Sequence, residues 1–199
     1  VIKDIVVVDN ALENPYELVD FARKQNFYDL EEHYDSICDK VYWNGYRTKV
    51  IRDQDIDYIN KINEELLTKC ILQDQPPYRT HGNYNFRFNW KCNSYFHIME
   101  EKNVFNESWI HNDICNFASV LYLSPEADPK FGTKIFKPGK EITVENVFNR
   151  LVMYRGDYMH TSLGGFGEGV NSRLTFINFY GHLKFNIFMN FEQEKQEEI

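Results

Sequence analysis

Between Asn83 and Trp90 polar and aromatic residues alternate without a break, in the run Asn-Tyr-Asn-Phe-Arg-Phe-Asn-Trp. A period of two puts every second side chain on one face of an extended chain, so this segment predicts a strand with one face in a core and the other toward solvent or a cavity. Further strand-like runs follow at Ser94 to Met99, Ser108 to Asp113, Phe117 to Leu123, Thr133 to Phe136, Leu151 to Tyr154 and Arg173 to Tyr180. Turn signals separate them: Ser124-Pro125, Asp128-Pro129, Pro138-Gly139 and the glycine-rich stretch from Gly164 to Gly169. Many short strands of this kind pack as two facing antiparallel sheets, a jelly-roll type of barrel. An aromatic share of 16% supplies flat side chains to fill its interior.

Ahead of the alternating run the period is different. Ile2 to Val8 is a β-branched run that suits a first strand and stops at Asp9-Asn10. A helix then starts, with Asn14 as its cap, Pro15 at its first position, Glu17 completing an approximate capping box, and Leu18, Phe21 and Ala22 as its apolar face. A second helix is expected from Asp55 to about Leu72, where Ile56, Ile59, Ile62, Leu66, Leu67 and Cys70 recur at steps of three and four before Pro76-Pro77. Gln25 to Val41 has no clear period and reads as irregular. The fold class expected is mostly β with supporting α-helices. One domain over residues 1–199 is expected, with helical support over about 1–80, a barrel core over about 81–182 and a charged tail at 192–199 that frays.

A net charge of −8 opposes a phosphate backbone, so no nucleic acid is expected as partner, and the same charge leans the choice of substrate toward cationic or neutral molecules. No apolar stretch approaches the length of a membrane span. Cys38, Cys70, Cys92 and Cys115 are widely spaced, which predicts reduced thiols and a cytoplasmic setting, although a start at Val1 leaves room for residues upstream.

His111 and Asp113 stand two residues apart in a segment that reads as a strand or its end, so the pleat turns both side chains to one side. His160 completes a two-His-one-carboxylate set of metal ligands, which leaves adjacent positions open for a bidentate 2-oxoacid and for O₂. Composition alone produces roughly one His-x-acid in a chain like this. The rival, His33-Tyr34-Asp35, sits in an acidic stretch with no strand downstream. What separates the two is Arg173, which follows His160 and opens a strand in which Arg173 and Thr175 share a face. A guanidinium beside a hydroxyl is a receptor for the distal carboxylate of 2-oxoglutarate.

The order of these motifs resembles that of the 2-oxoglutarate/Fe(II) dioxygenases, in a prolyl-4-hydroxylase-like branch. The resemblance runs from Trp109 to Gly181, through His111-Asn112-Asp113, Phe131-Gly132-Thr133 where relatives have a Gly-Gly-Thr turn, Asn149-Arg150-Leu151, Tyr154, His160-Thr161-Ser162 and Arg173-Leu174-Thr175. It implies a double-stranded β-helix, cupin-like in architecture. It maps His111, Asp113 and His160 onto the iron ligands and Arg173 onto the cosubstrate anchor. A Tyr on a strand before the metal motif often helps to bind 2-oxoglutarate in relatives, a place that Tyr95 or Tyr84 would take here. The implied reaction hydroxylates a C–H bond of a small molecule or peptide with O₂, releasing succinate and CO₂, with ascorbate as a supporting reductant. The alternative is a cupin-like barrel that holds a metal or small ligand without this chemistry.

Other signals carry less. Gly165-Phe166-Gly167-Glu168-Gly169 joins strands rather than opening a helix and reads as a flexible lid near His160, not as a phosphate cradle. His97-Ile98-Met99-Glu100 lies among strand-forming residues rather than on a helix that could bind zinc, His81 and His182 read as surface residues, and Asp157 as a turn acid.

Overall fold

The computed structural model describes residues 3–30, 43–51, 55–72 and 84–189, and within these the side chains of all but residues 84–88, 108 and 185–189. The rival pair His33 and Asp35, Pro76-Pro77, His81, most of the stretch from Gln25 to Val41 and the charged tail lie outside the described residues. The strands are β1 (Ile5–Val8), β2 (Tyr46–Arg47), β3 (Tyr84–Met99), β4 (Phe117–Tyr122), β5 (Thr133–Lys137), β6 (Lys140–Val144), β7 (Leu151–Arg155), β8 (Met159–Ser162) and β9 (Arg173–Met189). The helices are α1 (Pro15–Arg23) and α2 (Ile56–Leu72). The strands form a six-stranded sheet in the order β1-β7-β4-β9-β3-β2 and a three-stranded sheet in the order β6-β5-β8. This is the mostly β, two-sheet jelly-roll architecture expected, with both N-terminal strands built into the larger sheet.

The centre of the larger sheet is covered on both faces, so β4 and β7 read as nearly continuous apolar runs, whereas β3 keeps the alternation seen in the sequence. One face meets the helices: Leu18, Val19 and Ala22 of α1 and Ile59, Leu66, Leu67 and Cys70 of α2 pack on Phe96, Leu121, Leu151, Met153 and Phe176. The other turns toward the small sheet, where Ala118, Val120, Tyr122, Val152, Tyr154 and Ile177 meet Ile135 and Val144. Polar groups inside the helix-facing layer are paired: Asn63 of α2 donates to Ser94 Oγ (3.2 Å) and accepts from the Tyr180 hydroxyl (3.0 Å), and Ser94 donates to Asn178 (2.6 Å).

Several elements differ from the sequence-based expectation. The run expected to end at Trp90 and the one expected over Ser94–Met99 form a single strand, Tyr84–Met99, because no glycine or proline stands between Trp90 and Ser94 to end it. Likewise β9 does not stop at Tyr180. Cys92 pairs with Tyr180 and Lys91 with His182, so Gly181 is an extra residue bulged out of a ladder that continues to Met189. Ser108 to Asp113 is not a strand: Glu107–Trp109 is a 3-10 turn, and His111 touches the sheet only through an isolated bridge to His160. Three strands had too little apolar pattern to be read: the two-residue β2, β6, exposed over most of its length, and the four-residue β8. Asn14 makes no side-chain cap on α1; its carbonyl accepts from Glu17 N–H (3.2 Å), while Glu13 N–H is taken by Glu65 (2.8 Å). Among the described residues no helix is long and apolar enough to cross a membrane.

Asn149 ties the chain after β1 to the turn before β7. It is buried, has φ of 60°, accepts from Leu12 N–H (3.0 Å) and donates to the Leu12 carbonyl (2.8 Å). Asn149→Ala leaves both buried groups unmet and forces a left-handed conformation on alanine, so urea unfolding should show a loss of about 2–4 kcal/mol. Asn149→Gly, which removes only the hydrogen bonds, should lose less.

Candidate metal centre and its cavity

His160 lies in β8, opposite Ile135 of β5. The segment bearing His111 is held against it by two backbone hydrogen bonds, His111 N–H to His160 O (3.1 Å) and His160 N–H to His111 O (2.7 Å). Asp113 N–H donates to Gly156 O (2.8 Å) in the turn between β7 and β8. Gly156 permits this approach, since a Cβ there would run into the Cys115 carbonyl. His111 and Asp113 therefore converge through these backbone bonds and not through a strand pleat. Nε2 of His160 lies 3.3 Å from Asp113 Oδ2, Nε2 of His111 lies 3.7 Å from Oδ1, and the candidate ligand atoms fall within 4.8 Å of one another.

The hydrogen bonds at the back of each ring decide what the front can do. His111 Nδ1 is 2.6 Å from Trp109 O and His160 Nδ1 is 3.0 Å from Tyr158 O. A carbonyl only accepts, so both Nδ1 atoms carry the proton and, in the neutral rings, both Nε2 atoms present lone pairs to Asp113. Burial, followed by the neighbouring His160, pulls the His111 pKa down and favours that neutral form. Asp113 Oδ2 is buried with no hydrogen-bond donor. Acceptor thus faces acceptor, an arrangement that a divalent cation satisfies, and two imidazoles with one carboxylate suit non-haem iron or a similar ion.

His111 and His160 line a cavity that is partly open to solvent. Arg173 is in its wall, only 2% exposed, with Nε donating to Phe131 O (2.7 Å), Nη1 3.4 Å from Met99 Sδ and its guanidinium over the Tyr122 ring at 5.6 Å. Among the described residues no carboxylate forms an ion pair with it, and burial lowers its pKa. Phe131 thus holds the arginine through its backbone carbonyl. Thr175 shares the cavity face with Arg173, and its hydroxyl lies 3.4 Å from His97 O. Tyr95 is outside the cavity lining and stands edge-on to Phe179 at 5.9 Å; the side chain of Tyr84 is outside the described residues.

Four further residues stand here to which sequence reasoning gave no role in the site, although Tyr154 is among the motif residues and His97 was weighed as a zinc ligand. Tyr122 donates from its hydroxyl to Thr133 (2.7 Å) beneath Arg173, and Tyr154 lines the cavity with its ring 4.8 Å from His160. Both fall within predicted strands, but a buried run does not tell which face a residue takes. His97, beside Thr175 in the ladder, is buried and donates from Nε2 to Asn44 O (2.6 Å); burial, then the charge of Arg47, hold its pKa well down. Arg47 itself lines the cavity from β2.

The remaining signals resolve simply. Asp157 is an exposed turn acid, paired to Arg155 at 2.6 and 2.9 Å. The glycine loop is not a lid over His160. Its backbone is tied to residues 100–103 by Gly165 N–H to Asn103 O and Glu101 N–H to Gly167 O, both 3.0 Å, and Phe166 O accepts from Arg173 N–H (3.2 Å), so it is fixed against the start of β9. At Gly165 a Cβ would meet the backbone of Met99 and Glu100.

No protein-family model and no curated protein sequence matches this chain. Its structure resembles those of prolyl-4-hydroxylases and 2OG-Fe(II) oxygenase family proteins. A Pseudomonas putida prolyl-4-hydroxylase superposes with a TM-score of 0.56 at 14% identity, over 90% of this chain and 93% of that one. An oxidoreductase of the 2OG-Fe(II) oxygenase family from Burkholderia pseudomallei has a TM-score of 0.57 at 11% identity, over 89% and 84%. HygX from Streptomyces hygroscopicus, whose structure has nickel and 2-oxoglutarate bound, has a TM-score of 0.51 at 11% identity, over 90% and 83%. At these identities the likeness is one of fold, the double-stranded β-helix.

If Asp113 awaits a cation, Co(II) at a hundred times its dissociation constant should stabilise the protein by about 2.7 kcal/mol in thermal unfolding. Asp113→Asn should melt no lower than the unliganded parent, since it removes a buried charge without a donor, yet lose nearly all of the Co(II) shift.

Proposed function

We propose that the protein is a 2-oxoglutarate- and O₂-dependent Fe(II) dioxygenase that hydroxylates a C–H bond of its substrate. The observation that carries this reading is a fully buried guanidinium, Arg173, in the wall of a cavity beside His111, Asp113 and His160. Burying such a charge without a carboxylate partner is costly, and a ligand carboxylate removes the cost.

In this reading His111, Asp113 and His160 hold Fe(II) from one side and leave the cavity side for cosubstrate and O₂. Iron bound there supplies the O₂ activation that couples decarboxylation of 2-oxoglutarate, to succinate and CO₂, with hydroxylation of the substrate. Arg173 takes the distal carboxylate in a charge-assisted fork. Phe131 O fixes the guanidinium from one side and the Tyr122 ring from another, so little side-chain freedom is lost when the ligand arrives. Thr175 flanks it, and the neutral His97 adds a polar group without a competing charge. Val120 and Ile177 keep this end of the cavity apolar. Ascorbate would act only to keep iron reduced. Tyr122, rather than Tyr95, is the tyrosine set against the anchor.

The test is succinate formation from 2-oxoglutarate with Fe(II), ascorbate and O₂, which needs no knowledge of the substrate if uncoupled turnover occurs. Wild type should produce succinate, and His111→Ala should not. Arg173→Met should weaken 2-oxoglutarate binding roughly 100-fold, the loss of two hydrogen bonds to a charged group. Because it removes a buried cation, it should not lower the melting temperature of the ligand-free protein. If metal-loaded wild type neither binds 2-oxoglutarate in calorimetry nor forms succinate, the barrel holds metal for another purpose.

A further inference from the structure

Arg173 rests against a thioether. Met99 ends β3 and Arg173 opens β9, and the two stand opposite each other in the ladder, so both side chains take one face of the sheet. Met99 Sδ lies 3.4 Å from Arg173 Nη1 and 3.2 Å from Ser162 Oγ of β8, a hydroxyl that also reaches Gly164 O at 3.3 Å. Groups from both sheets thus converge on one sulfur atom. A thioether is a weak acceptor, so it fills the space beside the guanidinium without satisfying it, and Nη1 gives up this contact at little cost when a carboxylate arrives.

Oxidation reverses that balance. A lone pair of Sδ attacks hydrogen peroxide, an S–O bond forms, the O–O bond breaks, and the departing hydroxide takes up the proton of the transferred oxygen to leave as water. Sulfur is oxidised by two electrons to the sulfoxide and the peroxide is reduced. The sulfoxide oxygen is a far stronger acceptor than sulfur, and the chain itself holds it beside the guanidinium, so a ligand carboxylate then competes with an intramolecular partner. An oxygen on the Nη1 side of the sulfur also forces the guanidinium from the place where Phe131 O fixes it, since 3.4 Å leaves no room for an atom in between.

Access distinguishes Met99 from another interior methionine. Met99 and Met153 are each 1% exposed, but Met99 lines the partly open cavity, whereas Met153 is sealed in the helix-facing layer. A peroxide molecule that enters the cavity reaches Met99 and not Met153. Met159, 41% exposed, provides the comparison with a methionine open to solvent.

We propose that Met99 is a peroxide-sensitive modification site whose sulfoxide occupies Arg173 and weakens cosubstrate binding until a methionine sulfoxide reductase restores the thioether. This rests on the oxygenase reading of the site.

The test treats the full chain, without added metal, with hydrogen peroxide and then removes the peroxide with catalase. One portion goes to peptide mass mapping, and another is loaded with Co(II) and titrated with 2-oxoglutarate in a calorimeter. Untreated protein is titrated first, and a failure to bind 2-oxoglutarate there counts against the oxygenase reading, while the mapping still tests Met99. Met159 should gain oxygen first, Met99 next and Met153 last. Oxidation at Met99 should weaken 2-oxoglutarate binding tenfold or more with the cooperative thermal melt retained, and treatment with methionine sulfoxide reductase should restore the affinity. Met99→Leu, whatever its own affinity, should bind equally before and after peroxide, which separates Met99 from oxidation at any other residue. Met99 no more reactive than Met153, an affinity unchanged by its sulfoxide, a peroxide effect that persists in Met99→Leu, or an affinity lost only together with the melt would overturn the proposal.

Discussion

The β9 strand has to satisfy two incompatible surroundings at once, and the rest of the molecule is arranged about that requirement. Leu174, Phe176 and Tyr180 lie in the layer beneath the helices, whereas Arg173, Thr175, Ile177 and Phe179 line the cavity. A strand delivers this separation automatically, because neighbouring residues point to opposite faces. It works only while the helix-facing residues stay buried, since a rotation of the strand would put Arg173 into hydrocarbon. The helices therefore matter to the cavity without touching it: α1 and α2 hold one face of the sheet so that the other keeps its charges in place.

Polar groups within the helix-facing layer serve the same end. An apolar interface tolerates sliding, but Asn63, Ser94, Asn178 and Tyr180 find their partners in one alignment of α2 over β3 and β9. Displacing the helix by one turn would leave several buried groups unpaired. Hydrophobic burial supplies the attraction between the layers, and these hydrogen bonds select the register.

Much of this was legible in the amino-acid order. The β-strand period, the helix from Ile56 and the convergence of His111, Asp113 and His160 could all be read, because periodicity and ligand chemistry are local properties. The reason for the convergence could not. His111 and Asp113 were read as a strand pair, yet they meet His160 through backbone bonds to β8 and to Gly156, contacts between segments more than 40 residues apart. Arg47 and Trp43 stand well upstream of every motif, in a stretch with little pattern, and only the pairing of β2 with β3 brings them to the cavity. Asn14 has the residue type of a helix cap, but its backbone angles are not those of a cap and its side chain makes no capping hydrogen bond. Tyr122 and Tyr154 were visible as strand residues, while the face each takes depends on a second sheet that composition does not reveal.

Gly181 changes how β9 must be counted. Up to Tyr180 the even-numbered residues face the helices; beyond the bulge Leu183, an odd-numbered residue, packs on that same core. The glycine acts as a frame shift in space, with one unpaired residue inverting the parity of everything that follows. Elsewhere in β9 only insertions or deletions of two residues would preserve the faces. At this position a single deletion would leave a regular ladder and keep each later residue against its present partner on its present face, so the bulge is where β9 can lose one residue without exchanging inside for outside.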